Sequence, residues 1–375
     1  MNILVTGAKG FIGRNLVSRL ERQPGLHIWE YDKEDNRQVL EAALAETDLV
    51  FHLAGVNRPE SVEEFETGNV GFAAEVCDRL LEIGRPVPIV LSSSIQAELD
   101  NPYGVSKRRA EDVIKRYARQ GGARSIVYRL QNVFGKWCRP QYNSVVATFC
   151  HNIAHDLPIT ISDPGRQLQL VYVDDVVDCF VGEIGSREPG VYYRQVSPVH
   201  QITLGRLAEL IHSFRQMRVT LMVPDLSDPF TRELYGTYLT YLETGDFAYP
   251  LNRKYDARGC LAEFVKSPTS GQVFVSRTAP GITRGNHYHH TKTEKFLVLQ
   301  GEAVIRFRHI RNGQVLEYRI HGEEFQVVDI PPGYTHSIEN VGPGDLVTLF
   351  WASEVFDPNQ PDTHALPVPT ESVGP

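Results

Sequence analysis

The chain has 375 residues, of which 42 % are hydrophobic and 22 % are charged, and its formal net charge is -8. At roughly 150 residues per domain, this length predicts two or three domains. The composition is that of a globular protein, and no run of about 18 apolar residues predicts a membrane span. The negative balance excludes a broad basic surface, so we expect a small-molecule substrate and no nucleic acid. No basic leader with a cleavage site follows Met1, which predicts a cytoplasmic protein.

The first predicted element is a short apolar strand at residues 2–6, which a glycine loop and a helix follow. Gly7, Gly10 and Gly13 form the pattern G-x-x-G-x-x-G ahead of the helical periodicity of FIGRNLVSRLER. Such glycines allow a tight turn and let backbone N–H groups approach a pyrophosphate at the helix N-terminus. A second predicted strand, HIWEY, ends at Asp32, at the separation where an acidic residue meets a ribose. The pattern favours a dinucleotide site over a plain structural turn.

Apolar runs of strand length continue to alternate with helical segments as far as residue 130. They are DLVFHLAG, PVPIVLSSS and ARSIVYRL, at residues 48–55, 86–94 and 123–130. This alternation predicts an α/β fold with a Rossmann-like, doubly wound parallel sheet. Ligands of such sheets lie across the carboxyl ends of the strands, which places the serines of LSSS beside the expected cofactor.

The next helical segment, NPYGVSKRRAEDVIKRYA, carries Tyr103 and Lys107 four residues apart on one helix face. We expect the ammonium to lower the pKa of the phenol, which brings it closer to neutral pH as a proton donor or acceptor. The pattern Y-x-x-x-K also occurs on ordinary amphipathic helices. The glycine loop and the serines before it favour a catalytic pair.

Near residue 244 the pattern changes to short alternating runs separated by turn residues, which predicts an all-β barrel. We therefore place two domains at residues 1–243 and 244–375. In the second domain the stretch TRGNHYHHTKTEK holds a cluster of histidines and a glutamate, and PPGYTHSIEN adds another histidine.

The histidine cluster has the spacing of a metal site. His287 and His289 are two residues apart, so both face the barrel interior if they lie on a strand, while His290 faces away. With Glu294 and His336 they offer three imidazoles and one carboxylate, a donor set that suits a divalent metal such as zinc.

The motifs TGAKGFIG, DLVFHLAG, LSSS, YGVSK, RLQNVFG and VYVDD resemble the extended short-chain dehydrogenase/reductase (SDR) family, whose members act on nucleotide sugars. The resemblance implies Tyr103 as catalytic acid, Lys107 as its activator and ribose anchor, and Ser94, with Ser93 next, as partner of the substrate carbonyl. Only eight residues separate Ser94 from Tyr103, fewer than is usual in the family, which predicts an unusually open site. The implied cofactor contacts are Gly7, Gly10, Phe11, Ile12, Gly13, Asp32, Lys33, Leu53, Ala54, Gly55, Asn69 and Lys107.

The residues around Asp32 leave two nicotinamide cofactors open. Asp32 favours a free ribose 2'-hydroxyl and hence NAD(H). Four cations, Lys9, Arg14, Lys33 and Arg37, are candidates to meet the 2'-phosphate of NADP(H), although solvated surface positions are common for such side chains.

The segments around His287 and His336 resemble the two motifs of the cupin family, which implies His287, His289, Glu294 and His336 as metal ligands. DARG and ITRGNHYHH also resemble the nucleotide-sugar 3,5-epimerases, cupins in which the histidine after R-G serves as a base. One nitrogen of His287 cannot bind a metal and act as that base. We favour the metal because the other three side chains complete a coordination set.

The order of reductase and cupin, together with NPYG, FGKWCRPQYNSV, KTEKFLV and FDPNQPDT, resembles the CapF family of capsular polysaccharide synthesis enzymes. The resemblance implies a bifunctional enzyme of UDP-N-acetyl-L-fucosamine biosynthesis. It also implies that the cupin epimerises C3 of UDP-2-acetamido-2,6-dideoxy-4-hexulose and that the reductase then reduces the C4 ketone with NADPH to the UDP-L-talose derivative. A UDP-activated 4-keto-6-deoxy-N-acetylhexosamine, NADP(H), a divalent metal and a homodimer are thereby implied. The alternatives are a reductase with a structural or ligand-binding cupin, and a non-enzymatic NAD(P) sensor, against which Tyr103 and Lys107 argue.

Overall fold

The computed structural model describes residues 1–369, and the chain divides into two compact units. The first comprises Met1–Ile211 and Glu233–Leu242, and the second comprises His212–Arg232 and the chain from Glu243 onward. The first unit is α/β and the second is built mainly from antiparallel strands, so the predicted fold class is confirmed. Within the described residues, no helix is long and apolar enough to cross a bilayer.

The first unit alternates strands and helices along the chain. Its strands are β1 (Asn2–Thr6), β2 (His27–Tyr31), β3 (Leu49–His52), β4 (Ile89–Ser94), β5 (Arg124–Leu130), β6 (Asn132–Phe134), β7 (Gln167–Tyr172), β8 (Gly190–Arg194) and β9 (His200–Thr203). Its helices are α1 (Phe11–Leu20), α2 (Arg37–Glu46), α3 (Glu63–Phe65), α4 (Phe72–Ile83), α5 (Pro102–Gly121), α6 (Val145–Ala154) and α7 (Val173–Val181). Two further helices, α8 (Leu204–Thr220) and α9 (Pro229–Leu239), follow in the chain.

A six-stranded parallel sheet in the order β2-β1-β3-β4-β5-β8 forms the centre of the first unit. A small second sheet has the order β6-β7-β9. The chain leaves β1 toward β2 and then returns to the other side of β1 with β3. This reversal puts the topological switch point at the carboxyl ends of β1 and β3, which is where sheets of this kind bind ligands.

Both faces of the parallel sheet are buried, which explains why its strands are continuous apolar runs. Leu4 points to one face, where it packs in a cluster with Ile114 of α5. Its neighbours Ile3 and Val5 point to the other face, in a cluster with Val176 of α7. The alternation of side chains along a strand therefore supplies both layers of the core.

The second unit consists of short antiparallel strands. They are β10 (Arg253–Asp256), β11 (Gly259–Ser267), β12 (Gly271–Thr278), β13 (Thr283–Tyr288), β14 (Glu294–Gln300), β15 (Glu302–His309), β16 (Val315–His321), β17 (Val327–Ile330), β18 (Tyr334–Asn340), β19 (Leu346–Ala352) and β20 (His364–Ala365). One sheet has the order β10-β11-β12-β19-β14-β17 and the other β16-β15-β18-β13-β20. Phe296 and Phe350 of the first sheet share one buried cluster with Ile305 and Ile338 of the second. The two sheets therefore enclose a single core, as expected of a cupin barrel.

Candidate functional sites

The glycine loop between β1 and α1 forms one end of a cleft of about 990 Å³ in the first unit. Gly7 has a φ of 71°, and a Cβ atom there would lie 2.7 Å from the backbone nitrogen of Ala54. A Cβ atom on Gly13 would lie 2.1 Å from the carbonyl oxygen of Gly7. These glycines permit the tight turn and the close approach of α1. The loop and the first turn of α1, including Gly10, Phe11 and Ile12, line the cleft as a dinucleotide site requires.

The structure brings the predicted acidic residue and the candidate cations to this cleft. The carboxylate of Asp32, just after β2, accepts hydrogen bonds from the backbone nitrogens of Lys9 at 3.0 Å and Lys33 at 2.8 Å. The Nζ atom of Lys9 lies 2.7 Å from the Asp35 carboxylate. The side chain of Lys33 is exposed. Carboxylates and cations thus stand side by side where a ribose would bind, an arrangement that accommodates either nicotinamide cofactor.

The other two candidate cations also line the cleft and are engaged with neighbours. Arg37 at the start of α2 forms an ion pair with Glu75 of α4. Arg14 in α1 donates to the backbone oxygen of Trp137 at 2.9 Å. To bind a 2'-phosphate, either arginine must therefore contact the phosphate in addition to its present partner or leave that partner.

Asn69 occupies a different position from the other predicted cofactor residues. Leu53, Ala54 and Gly55 follow β3 and line the cleft. Asn69, in a π-helical segment before α4, is only 3 % exposed. Its amide oxygen accepts from the Val56 nitrogen at 2.8 Å and its amide nitrogen donates to the Ser106 hydroxyl at 2.9 Å. Through these bonds Asn69 supports the segment after β3 that lines the cleft, and its direct contact with a cofactor stays a prediction.

Tyr103 and Lys107 lie in the first two turns of α5. The Asn101 side chain accepts from the Gly104 nitrogen at 2.8 Å and caps this helix, which fixes where Tyr103 begins its first turn. Lys107 is 7 % exposed, and its Nζ atom donates to the backbone oxygen of Ser92 at 2.8 Å. Burial lowers the pKa of Lys107 to about 8. The ammonium is therefore held rigidly at the end of β4.

Tyr103 lines the cleft together with Ser94. Burial raises the pKa of the Tyr103 phenol, and the interaction with the Ser94 hydroxyl opposes this rise. The expectation that Lys107 lowers this pKa is wrong for this structure, because desolvation of the phenol has the larger effect. Ser93 donates to the carboxylate of Glu111 at 2.6 Å, whereas Ser94 is the serine beside Tyr103. The geometry thus favours Ser94 over Ser93 as partner of a substrate carbonyl.

Another part of the cleft was not singled out from the sequence. Arg139 and Tyr142 follow β6, and Arg166 precedes β7. The guanidinium of Arg139 lies 5.3 Å and that of Arg58 lies 5.9 Å from the centre of the Tyr142 ring. These side chains make a cationic, aromatic wall suited to an anionic nucleotide sugar. The usable signal was the loop that follows β6, which carries Arg139 and Tyr142, in a fold that binds ligands at strand ends.

The second unit brings the four predicted metal ligands together. His287 lies on β13, His289 just follows it, Glu294 starts β14, and His336 lies on β18 opposite His287. Their ligand atoms all lie within 4.8 Å of one another. An oxygen of Glu294 is 3.4 Å from Nε2 of His289 and 3.3 Å from Nε2 of His336. His290, by contrast, is exposed, as its predicted outward position requires.

The pKa values of two members of this cluster, His287 and Glu294, suit a metal site. Burial and the two neighbouring imidazoles lower the pKa of His287 to about 4. Although burial raises it, the nearby imidazoles of His289 and His336 bring the pKa of Glu294 down to about 2. At neutral pH the cluster therefore offers a neutral imidazole at His287 and a carboxylate, which are the forms that bind divalent ions.

Two buried nitrogen atoms point to the same conclusion. The Nδ1 atom of His289 lies 2.5 Å from the backbone oxygen of Asp362, so that its Nε2 atom is the one turned to the cluster. Within the described residues, Nε2 of His289 and Nε2 of His336 are buried and have no hydrogen-bond partner. Such atoms cost about 1–3 kcal/mol each, and a bound cation would satisfy both. The residues present thus fit a divalent metal. Asp362 was given no role in the sequence analysis, because its spacing from the histidines does not show that the fold brings it to His289.

Comparisons with known proteins match both units. Residues 3–192 match the NAD dependent epimerase/dehydratase family, and residues 254–364 match the polysaccharide biosynthesis C-terminal domain. The chain is 44 % identical over 368 residues to the UDP-2-acetamido-2,6-beta-L-arabino-hexul-4-ose reductase of Pseudomonas aeruginosa, covering 98 % of this chain and 99 % of that protein. The solved structure of the capsular polysaccharide assembling protein CapF from Staphylococcus aureus is similar, with a TM-score of 0.91, 48 % identity, and coverage of 98 % and 100 %. A structure of CapF with the inhibitor 3-isopropenyl-tropolone has a TM-score of 0.87, 43 % identity and the same coverage.

Proposed function

Because the chain belongs to the NAD-dependent epimerase/dehydratase family and carries a polysaccharide biosynthesis C-terminal domain, we propose that it is a bifunctional nucleotide-sugar enzyme. The barrel domain, residues 244–375, epimerises C3 of UDP-2-acetamido-2,6-dideoxy-4-hexulose. The reductase domain, residues 1–243, then reduces the C4 ketone with NADPH to UDP-2-acetamido-2,6-dideoxy-L-talose. The full-length relative from Pseudomonas aeruginosa, named as a reductase of such a hexulose, supports this substrate class.

One observation carries the proposal of two reactions. A complete reductase constellation and a complete metal-ligand set occur in the same chain, each in its own compact unit. A structural barrel has no need for two buried imidazole nitrogens that lack hydrogen-bond partners. The inhibitor named with CapF supports a metal further, because the adjacent oxygens of a tropolone can chelate a divalent ion.

In the reductase domain, Tyr103 holds the proton that the reaction needs. Its raised pKa keeps the phenol protonated at neutral pH, so it can donate to the oxygen that develops negative charge at C4. Ser94 lies beside the phenol and is placed to donate to the same oxygen. Lys107, one helical turn beyond Tyr103, donates through its ammonium to the Ser92 backbone oxygen and is the proposed anchor of the cofactor ribose. When bound in this domain, a nicotinamide would supply the hydride. A divalent ion held in the barrel would supply Lewis acidity toward the ketone there.

In the barrel, the proposed ligands are His287, His289, Glu294 and His336. Three of them, His287, Glu294 and His336, line a pocket of about 120 Å³ that has Phe274 among its apolar walls. A ketone at C4 acidifies the hydrogen at C3, and removal of that proton followed by its return to the opposite face inverts C3. The pocket has room for the reacting part of a sugar ring rather than for the whole nucleotide.

The reaction is tested by incubating the protein with the UDP-4-keto-sugar and NADPH and identifying the product by NMR. The proposal predicts one NADPH oxidised for each sugar and a product that is inverted at C3 and reduced at C4. A product reduced at C4 with its original C3 configuration would leave a single-step reductase with a binding or structural barrel. If the protein binds NADPH but turns over no sugar, the remaining hypothesis is a non-enzymatic NAD(P) sensor. The homodimer that the resemblance implies and the cytoplasmic location predicted from the sequence are further expectations.

A further inference from the structure

A buried carboxylate lies one helical turn beyond Lys107. Glu111 of α5 is 0 % exposed, and four hydrogen bonds reach its two oxygens. Ser93 donates at 2.6 Å, Arg129 donates through Nε at 2.9 Å and through Nη2 at 2.7 Å, and Tyr193 donates at 3.1 Å. The three donors come from the adjacent strands β4, β5 and β8. Glu111 therefore ties the helix of the proton donor to three strands of the sheet.

The network also reaches the cleft itself. Ser93, which Glu111 holds, stands between Ser92, whose backbone oxygen accepts from Lys107, and Ser94, which lies beside Tyr103. The end of β4 is thus fixed from below by Glu111. A shift of this strand end would move the Ser94 hydroxyl and, through the Ser92 oxygen, the Lys107 ammonium.

The charges around Lys107 give Glu111 a second role. From its own helix Lys107 faces Glu111 and the neutral phenol of Tyr103, and from β4 it faces the backbone oxygen of Ser92. From β3 it faces His52, which is fully buried and whose pKa burial lowers to about 3, so it is neutral at every pH of interest. Glu111 is the neighbour that raises the pKa of Lys107 against the effect of burial.

Stability alone does not account for this arrangement. A buried ion pair is on average no more stabilising than well-packed apolar residues of the same volume. Arg129 also pairs with Glu98, through Nη1 at 2.9 Å, but the Glu98 side chain is 71 % exposed. Glu98 thus already gives Arg129 an exposed carboxylate partner, so pairing with Arg129 does not by itself explain why Glu111 is fully buried.

We propose that Glu111 is a positioning residue for the reduction: it keeps Lys107 charged and holds the end of β4 so that Ser94 faces Tyr103. This inference rests on the proposed reductase function. It goes beyond it by assigning a role to a residue that touches neither the cofactor nor the sugar.

The test compares Glu111→Gln with Glu98→Gln, which removes the other carboxylate on Arg129 and serves as the matched control. For each protein, the Kd of NADPH and kcat/KM for NADPH are measured from pH 6 to pH 10. Glu111→Gln should move the basic limb of both profiles down by about one pH unit, the size expected when an opposite charge beside a buried group is lost. Binding at pH 8 should weaken severalfold, while binding at pH 6 changes little. Glu98→Gln should keep the wild-type limb.

Other results decide against the inference. An unchanged limb in Glu111→Gln, or an equal shift in both variants, would show that Glu111 is structural. If Glu111→Gln does not fold, the doubly neutral Glu111→Gln/Arg129→Gln variant is measured instead and should show the same downward shift. Because the Kd of NADPH needs no turnover, failure of the proposed reaction is distinguishable from failure of this inference.

Discussion

Deprotonation of Lys107 is expected to switch off NADPH use above about pH 8. Burial lowers the pKa of this ammonium from 10.5 to about 8 in the protein. The group is charged below this value and neutral above it, so the function that depends on its charge falls as pH rises. With a pKa near 8, about nine-tenths of the molecules carry the charge at pH 7 and about one-tenth at pH 9. The expected loss between these values is therefore about ninefold.

The assay is kcat/KM for NADPH against pH at saturating keto-sugar, since this quantity reports ionisations of the free enzyme. Tyr103 does not produce the same limb, because its pKa is raised above the ordinary value of 10. A Lys107→Arg variant is the control, since a guanidinium keeps its charge across this range. It should be less active but flat from pH 7 to pH 9. A wild-type profile that is equally flat would refute the reasoning from burial.

The remaining predictions concern the two sites separately. Gly13→Ala should abolish NADPH binding in a fluorescence titration, because the new Cβ atom would lie 2.1 Å from the Gly7 oxygen. The same variant should keep proton exchange in the barrel, and retained NADPH binding would contradict the packing of α1. Arg37→Ala should weaken NADPH binding about tenfold and NADH binding little, because one contact to the 2'-phosphate is lost. If the ion pair of Arg37 with Glu75 is purely structural, the ratio of the two Kd values, for NADPH and for NADH, stays constant. Chelation of divalent metal should lower the Tm and zinc should restore it, because the metal satisfies two buried nitrogens; an unchanged Tm would count against a metal in the barrel.

Much of the architecture follows from local patterns in the chain. Glycine spacing after an apolar run predicted β1, the loop and α1, because only this local order satisfies the steric limits at Gly7 and Gly13. The two-residue spacing likewise predicted that His287 and His289 meet while His290 turns outward, although His289 lies just beyond the end of β13. These features depend on residues close in sequence, and period and spacing determine them.

The features that escaped prediction depend on contacts between distant segments. The pKa of Tyr103 is set by burial in the folded cleft, which the spacing to Lys107 does not reveal. The sequence did not reveal that the Asn69 amide hydrogen-bonds to Val56 and to Ser106, which lies 37 positions later. Asp362 reaches His289 from 73 residues away. Such roles appear only when the fold brings the segments together.

The central claim is that the barrel is a second catalytic site, and hydrogen exchange at C3 tests it most directly. The protein is incubated with a UDP-4-keto-6-deoxy-N-acetylhexosamine in heavy water without NADPH, and deuterium entry at C3 is followed by NMR. We expect exchange in the wild-type protein and in Tyr103→Phe, and loss of exchange in His336→Ala, which removes one of the four clustered side chains. Absence of exchange in the wild-type protein, or undiminished exchange in His336→Ala, would contradict an epimerase site in the barrel.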